Sequence, residues 1–304
     1  MNMQAIGRKI SALRKERDMT QVDLADKLGV TYQAVSSWER GHSMPDIAKL
    51  PDISQVLAVS IDTLLDNAKT AELVKNVLTG QDFSQNVPDM ATLAEVAPIL
   101  KPSQVESIAE NFSTSNMEAL ANMAHHLSSE KLKEIILRCN GINGNTLAQI
   151  AHHMESDDLK EIALHSGNID DTTLIAIAPH LESEDLKDIS LSGTFNTQTI
   201  SEIAHYMESE DLKEFAMHNA NLSGETLINI ADHLDSEDLR DIISKGSFSI
   251  ETISEVSGHM DSEDLKDIAT KLIEAHGIKA FSDSEIVHHM DEDDIADAIM
   301  NGMK

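Results

Sequence analysis

A single cysteine, Cys139, occurs in 304 residues, so no intramolecular disulfide can form. A chain this long buries enough apolar surface to fold without a disulfide or a metal. The solitary thiol fits a reducing cytoplasm, with Cys139 expected as a small buried hydrophobe. No run of about 18 apolar residues is present. The opening MNMQAIGRKISALRKER carries charge but no apolar stretch of signal-peptide length. A soluble, cytoplasmic protein without membrane association is expected. Catalytic signatures are missing too. The H-H-M-E at 152–155 is not the H-E-x-x-H of a zinc protease, and no phosphate-cradling loop, nucleophile elbow or Cys–His pairing is visible. The carboxylates recur at regular helix starts, which accounts for them without catalysis. Neither an enzyme nor a cofactor is expected.

Cations are also scarce, with 23 Lys+Arg against 53 Asp+Glu and a formal net charge of −30. Such a balance argues against nucleic acid, because affinity for DNA comes largely from cations meeting phosphates. The charge is unevenly spread, however. Residues 1–66 hold 8 Lys+Arg and 9 Asp+Glu, whereas the rest hold 15 and 44. Two parts with different electrostatic roles are implied.

In the first part, Ile6, Ile10 and Leu13 recur at helical spacing before the break RDMT. Thr20 can cap a helix over QVDLADKL, which Gly29 ends, and Thr31 can cap a third over YQAVSSWERG, closed by Gly41. Two short helices joined by a tight turn, with small Ala25 at their approach, describe a helix-turn-helix. Val35, Trp38, Leu24, Leu28 and Ile47 are expected in its core. Pro51 falls inside a fourth helical stretch, so that helix should kink or start late.

The segment TQVDLADKLGVTYQAVSSWERGHSMPDI, followed by VLAVSIDTLL, resembles the XRE (Cro/repressor-like) DNA-binding domain of bacterial and phage regulators over residues 5–66. The resemblance implies a five-helix, lambda-repressor-like domain binding operator DNA as a homodimer on half-sites about one helical turn apart. It further implies that Gln21 bonds a phosphate at the start of the second helix. Tyr32, Gln33, Ser36 and Ser37, with Thr31 at the cap, would lie in the major groove, Gln33 pairing with adenine. Arg40, His42, Arg17 and Lys49 would meet the DNA backbone, and Arg14 would pair with Glu39 to hold the first helix to the third.

The second part repeats one phrase. Near-copies of MESDDLKEIA place anchors at Leu100, Leu127, Met154, Leu181, Met207, Leu234, Met260 and Met290, spaced 27, 27, 27, 26, 27, 26 and 30 residues apart. A period in this range indicates stacked supersecondary units. Counting from each anchor, Leu147, Ile150, Ala151 and Met154 form one helical stripe. Ser156 should cap a second helix with Asp157 and Asp158 in its first turn, and Leu159, Ile162 and Ala163 form the next stripe. Small residues at −3 (Ala97, Ala124, Ala151, Ala178, Ala204, Ala231) allow close helix approach. Lysine at +6 follows an acid three residues earlier, as in Asp157–Lys160, Glu184–Lys187, Glu210–Lys213 and Glu263–Lys266, and should pair within its own helix. The last unit is stretched and starts its helix at Asp283, as a terminal cap. The fold expected is therefore all-α: a helix-turn-helix domain (1–66), a linker helix and loop (67–90), and an α-solenoid of about eight two-helix repeats (91–304).

Histidine or tyrosine occupies −1 in seven successive units: His126, His153, His180, Tyr206, His233, His259 and His289. Helices stacked about 8–10 Å apart are poorly placed to share an ion whose ligands each approach within about 2.1 Å. Capping of helix-terminal carbonyls is the expected role, with a pH response as the alternative. A sequence-specific regulator, repressor-like in character, is the function expected. Its acidic repeats would serve dimerisation or bind a basic regulatory peptide or protein. The layout is similar to that of peptide-sensing regulators of Gram-positive bacteria, although their repeat signature is not matched. The alternative is an interaction scaffold or phage-type antagonist whose anionic repeats cover a basic protein surface.

Overall fold

The computed structural model describes residues 2–84, 86–112, 116–138, 142–167, 169–218 and 222–303; Cys139 lies outside them. All regular structure among these residues is helical. The chain forms two compact units, Met1–Ile142 and Asn143–Lys304.

The first unit begins with α1 (Met3–Lys15), α2 (Gln21–Leu28), α3 (Tyr32–Glu39), α4 (Leu50–Val56) and α5 (Ile61–Leu65). Ile6, Ile10, Leu24, Leu28, Val35, Trp38 and Ile47 are all buried, as their spacing predicts. The fourth helix starts late and does not kink. A 3-10 turn over Ile47–Lys49 precedes α4, and Pro51 sits in the first turn of α4. There its missing N–H has no helical partner to lose. Next comes α6 (Ala68–Leu78), which packs on α5 and on the first repeat helix, Met90–Val96. Its buried face is Thr70, Ala71, Leu73 and Val74. Its first turn is tied to that repeat through one carboxylate oxygen, Glu95 Oε2, which accepts from Thr70 Oγ1 at 3.0 Å and from Asn67 Nδ2 at 3.2 Å.

The second unit is a stack of repeats in which leading helices pack on leading helices and trailing helices on trailing ones. Each leading helix has seven residues, for example Gly144–Ile150, and runs into a 3-10 turn over Ala151–His153. Its cap is an Asn, Asp or Ser eleven residues before the anchor. Asn143, Asp170, Asn196, Ser223 and Ser249 each accept from the backbone N–H three residues on. The −3 alanines start the 3-10 turns and are fully enclosed. The anchor does not continue the leading stripe: Met154 is extended, at φ −115° and ψ 150°. Together with the extended N-cap Glu155, it reverses the chain into the trailing helix, here Ser156–Ser166.

The trailing helices correct two expectations. The N-cap is Glu155, without a side-chain cap bond, and Ser156 is the first helical residue. Its hydroxyl instead donates to Asp185 Oδ2 of the next repeat at 2.5 Å and accepts from Glu182 N at 2.8 Å. The pattern recurs from Ser183 to Asp211, Ser209 to Asp238, Ser236 to Asp264 and Ser262 to Asp294. The +6 cations likewise reach across to the next repeat. Lys160 meets Asp185 at 2.5 Å, Lys187 meets Asp211 at 2.7 Å, Lys213 meets Asp238 at 2.5 Å and Lys266 meets Asp294 at 2.9 Å. In the same register Arg240 meets Asp264 at 2.6 Å. A serine at +2 and a cation at +6 thus close on the aspartate at +4 of the following repeat.

The cost of burying the Asp211 carboxyl is outweighed by its bonds from Lys187 and Ser183, so its pKa lies below the ordinary carboxylate value. A carboxyl held lower in the folded chain stabilises it above the unfolded pKa of about 3.9, and that contribution vanishes as pH falls through the folded value. The stability difference between the wild type and Asp211→Asn is therefore expected to persist at pH 5 and to close towards pH 3. Urea unfolding at both values measures it, and a gap independent of pH would refute this rung of serine, lysine and aspartate between repeats.

The last unit departs from the regular pattern. The trailing helix of the repeat before it extends from Ser262 to His276, and a five-residue helix, Ile278–Ser282, buries Phe281. Asp283 ends that short helix; it does not start one. The final helix, Glu292–Gly302, supplies the acceptor Asp294, but its +2 and +6 positions are Glu292 and Ala296, which offer no donor to a further repeat. The histidine rings lie along the 3-10 turns, with His152 and His180 centroids 6.2 Å apart and His205 and His233 likewise 6.2 Å apart. Among the described residues no group of three or more His, Cys, Asp or Glu is placed to hold a metal ion, and no helix is long and apolar enough to cross a membrane.

Candidate nucleic-acid interface

Local chemistry sets the geometry of α2 and α3. Thr20 and Asp23 form a reciprocal capping box at the start of α2, with Asp23 N donating to Thr20 Oγ1 at 3.1 Å and Thr20 N to Asp23 Oδ2 at 2.7 Å. The side chain and then the backbone of Thr20 hold the Asp23 carboxyl below its ordinary pKa. Gly29 ends the helix at φ 63°, a conformation that a side chain would strain. Ala25, 2% exposed, lets the two helices approach. Thr31 then caps α3 through Ala34 N at 3.2 Å.

The third helix is fixed from behind. A Cβ on Gly7 would lie 2.1 Å from Trp38 O, so only glycine lets α1 pack this close to the end of α3. Beside that contact Arg14 donates to Glu39 through Nε at 2.5 Å and Nη2 at 2.9 Å, both side chains being under a tenth exposed. Gln21 Nε2 donates to the same carboxylate at 2.8 Å. Burial would raise Glu39, but the bonds from Arg14, Gln21 and Ser11 outweigh it and hold the pKa down.

With the rear anchored, the outer side of α3 is open. Tyr32 is 54% exposed, and Gln33 and the cap Thr31 are exposed beside it. Gln33, Ser36, Ser37 and Arg40 follow at i, i+3, i+4 and i+7 and share one helix face. Ser37 and Ser43 pair their hydroxyls at 2.8 Å. Arg40 Nη1 donates to Ser36 Oγ, and Arg40 Nε to His42 Nδ1 at 3.5 Å. Lys49 Nζ donates to Leu28 O at the end of α2, at 3.0 Å, and Arg17 Nη1 to Leu13 O at 3.0 Å. The structure thus groups Thr31, Tyr32, Gln33, Ser36, Ser37, Arg40 and His42, while Arg17 and Lys49 each bond a backbone carbonyl. The Gln21 amide nitrogen, the part of that side chain able to donate to a phosphate, is bonded to Glu39. Sequence reasoning missed Gln21 as a partner of Glu39, because nothing in local spacing links residue 21 to residue 39.

Residues 10–64 match the helix-turn-helix family HTH_3. The HTH-type transcriptional regulator YazB of Bacillus subtilis (strain 168) is 36% identical over 64 residues, covering 21% of this chain and 93% of YazB. The chain belongs to the HTH-type transcriptional regulators. Other regulators of this family match the same segment. YqaE of B. subtilis (strain 168) is 46% identical over 52 residues, covering 17% of this chain and 45% of YqaE. SinR of the same organism is 41% identical over 68 residues, covering 22% of this chain and 61% of SinR. The match therefore spans about half the length of these two relatives.

Proposed function

We propose that this HTH-type regulator is a sequence-specific, repressor-like DNA-binding protein. Residues 1–66 read an operator, residues 67–90 link, and the acidic repeats of 91–304 serve dimerisation, bind a regulatory peptide or protein, or do both. The observation that carries this reading is the polar face of α3, presented outward by a buried Arg14–Glu39 pair while the apolar side of the helix is enclosed. Gln33 has the two-pronged amide that matches adenine N6 and N7. Phosphates would meet the amides at the start of α2 and the cations Arg17 and Lys49. With eight cations against nine acids in residues 1–66, affinity leans on base contacts and on paired half-sites.

The repeats hold 13 Lys+Arg against 41 Asp+Glu, an excess of 28 negative charges, so a basic peptide or protein segment is the partner their surface favours. The same charge supports a second reading, an antagonist that covers a basic protein surface. Mobility shifts with the full chain on a selected operator separate the two. Gln33→Ala is expected to reduce preference for that operator roughly tenfold to a hundredfold, with non-specific binding retained. Unchanged selectivity in Gln33→Ala would remove Gln33 as a reader, and a wild-type chain that shifts no DNA would favour the antagonist.

A further inference from the structure

Arg40 caps the C-terminal end of α3, where an exposed arginine would ordinarily swing freely. Here the side chain folds back along the helix onto Ser36, one turn earlier, while Nε faces Nδ1 of His42 at 3.5 Å. Side chains on a helix lean towards its N-terminus, so this pairing draws the guanidinium over the middle of the outer face, in line with Gln33. A phosphate-binding cation belongs at the flank of a recognition helix. This one lies along the face that the proposed function turns towards the base edges.

The hydrogen count supports the same target. A guanidinium has five N–H groups; Nε–H is directed at His42 and one Nη1–H at Ser36. One hydrogen on Nη1 and two on Nη2 are left, and one from each nitrogen gives the end-on fork that matches two acceptors lying in one plane. Guanine presents such a pair, O6 and N7, in the major groove. Holding the side chain in place beforehand lowers the entropy lost on binding.

We propose that Arg40 reads a guanine in the operator half-site, with Ser36 and His42 as the residues that position it. This assignment rests on the DNA-reading function above and replaces the backbone contact expected of Arg40 and the base contact expected of Ser36. The test is selection of binding sites from random-sequence duplex DNA by the full-length wild type, Arg40→Ala, Arg40→Lys and Ser36→Ala, with thermal melts to confirm folding. The wild type should enrich a guanine at one position of each half-site. Arg40→Ala should lose that preference by roughly tenfold to a hundredfold and leave the other positions unchanged. Arg40→Lys should lose it as well, because an ammonium is a point charge without the planar fork. Ser36→Ala should weaken the same position by a smaller factor. If Arg40→Ala weakens every sequence equally and lowers the salt slope by about one, while lysine restores binding, Arg40 contacts a phosphate and the proposal is overturned. A wild type that enriches no sequence would instead remove the DNA-reading function, and this assignment with it.

Discussion

Glu39→Ala should unfold or nearly unfold the helix-turn-helix segment. The substitution leaves the Arg14 guanidinium buried without its carboxylate and also strips Gln21 of its acceptor. Breaking a buried pair from one side costs about 3–5 kcal/mol, comparable with the whole stability of a segment this small. Trp38, the lone tryptophan, is 7% exposed and packs within this segment, so its emission reports the loss directly. The wild type should show a blue-shifted tryptophan that reddens cooperatively in urea, and Glu39→Ala a red-shifted one at low urea. The double replacement Arg14→Met with Glu39→Leu should recover most of the stability, because two apolar side chains leave no charge behind. A Glu39→Ala midpoint within error of the wild type would show that the pair holds nothing together.

The second large effect concerns the repeats. Asp238→Ala should cost about 1.5–3 kcal/mol, since it removes the acceptor of a charge-assisted bond from Lys213 and of a hydroxyl bond from Ser209. In a stack where each repeat touches only its neighbours, the loss falls on one interface and is not shared across the chain. Amides beyond that interface, from Leu239 towards Ala298, should exchange with solvent faster, while those of Leu159 and Ile162 keep their protection. Hydrogen exchange followed by mass spectrometry distinguishes this from a uniform loss. Equal acceleration everywhere would mean that the stack unfolds as one block and that the rung has no local role.

Much of this architecture was legible in the residues. The caps Thr20 and Thr31, the αL glycine at 29 and the buried stripe of α1 to α3 are local features, settled within a few residues of chain. The repeat period and the enclosed −3 alanines followed from side-chain spacing alone. The caps eleven residues before each anchor are equally local, an Asn, Asp or Ser three before the helix's N3 threonine, but they vary in residue type where the acidic phrase does not.

The partner choices of the acidic phrase were a different kind of problem. Within S-x-D-L-K a lysine has an acid three residues back and another in the next repeat 25 residues on, and both satisfy a charge-pairing rule. The distant aspartate wins because stacking buries it: Asp185 and Asp238 are under a tenth exposed, where an ion pair is screened far less than on an open helix face. Serine at the first helical position likewise leaves its own helix for the neighbouring carboxylate.

Sequence alone determined the helices, their period and the family of the first 66 residues, because each depends on side chains within about four positions of one another. Only the tertiary structure decided that Gln21 turns to Glu39, that Arg40 lies back over Ser36 and that the repeats are riveted aspartate to serine and lysine. Those choices depend on which of several chemically equivalent partners folding brings within 3 Å and shields from water.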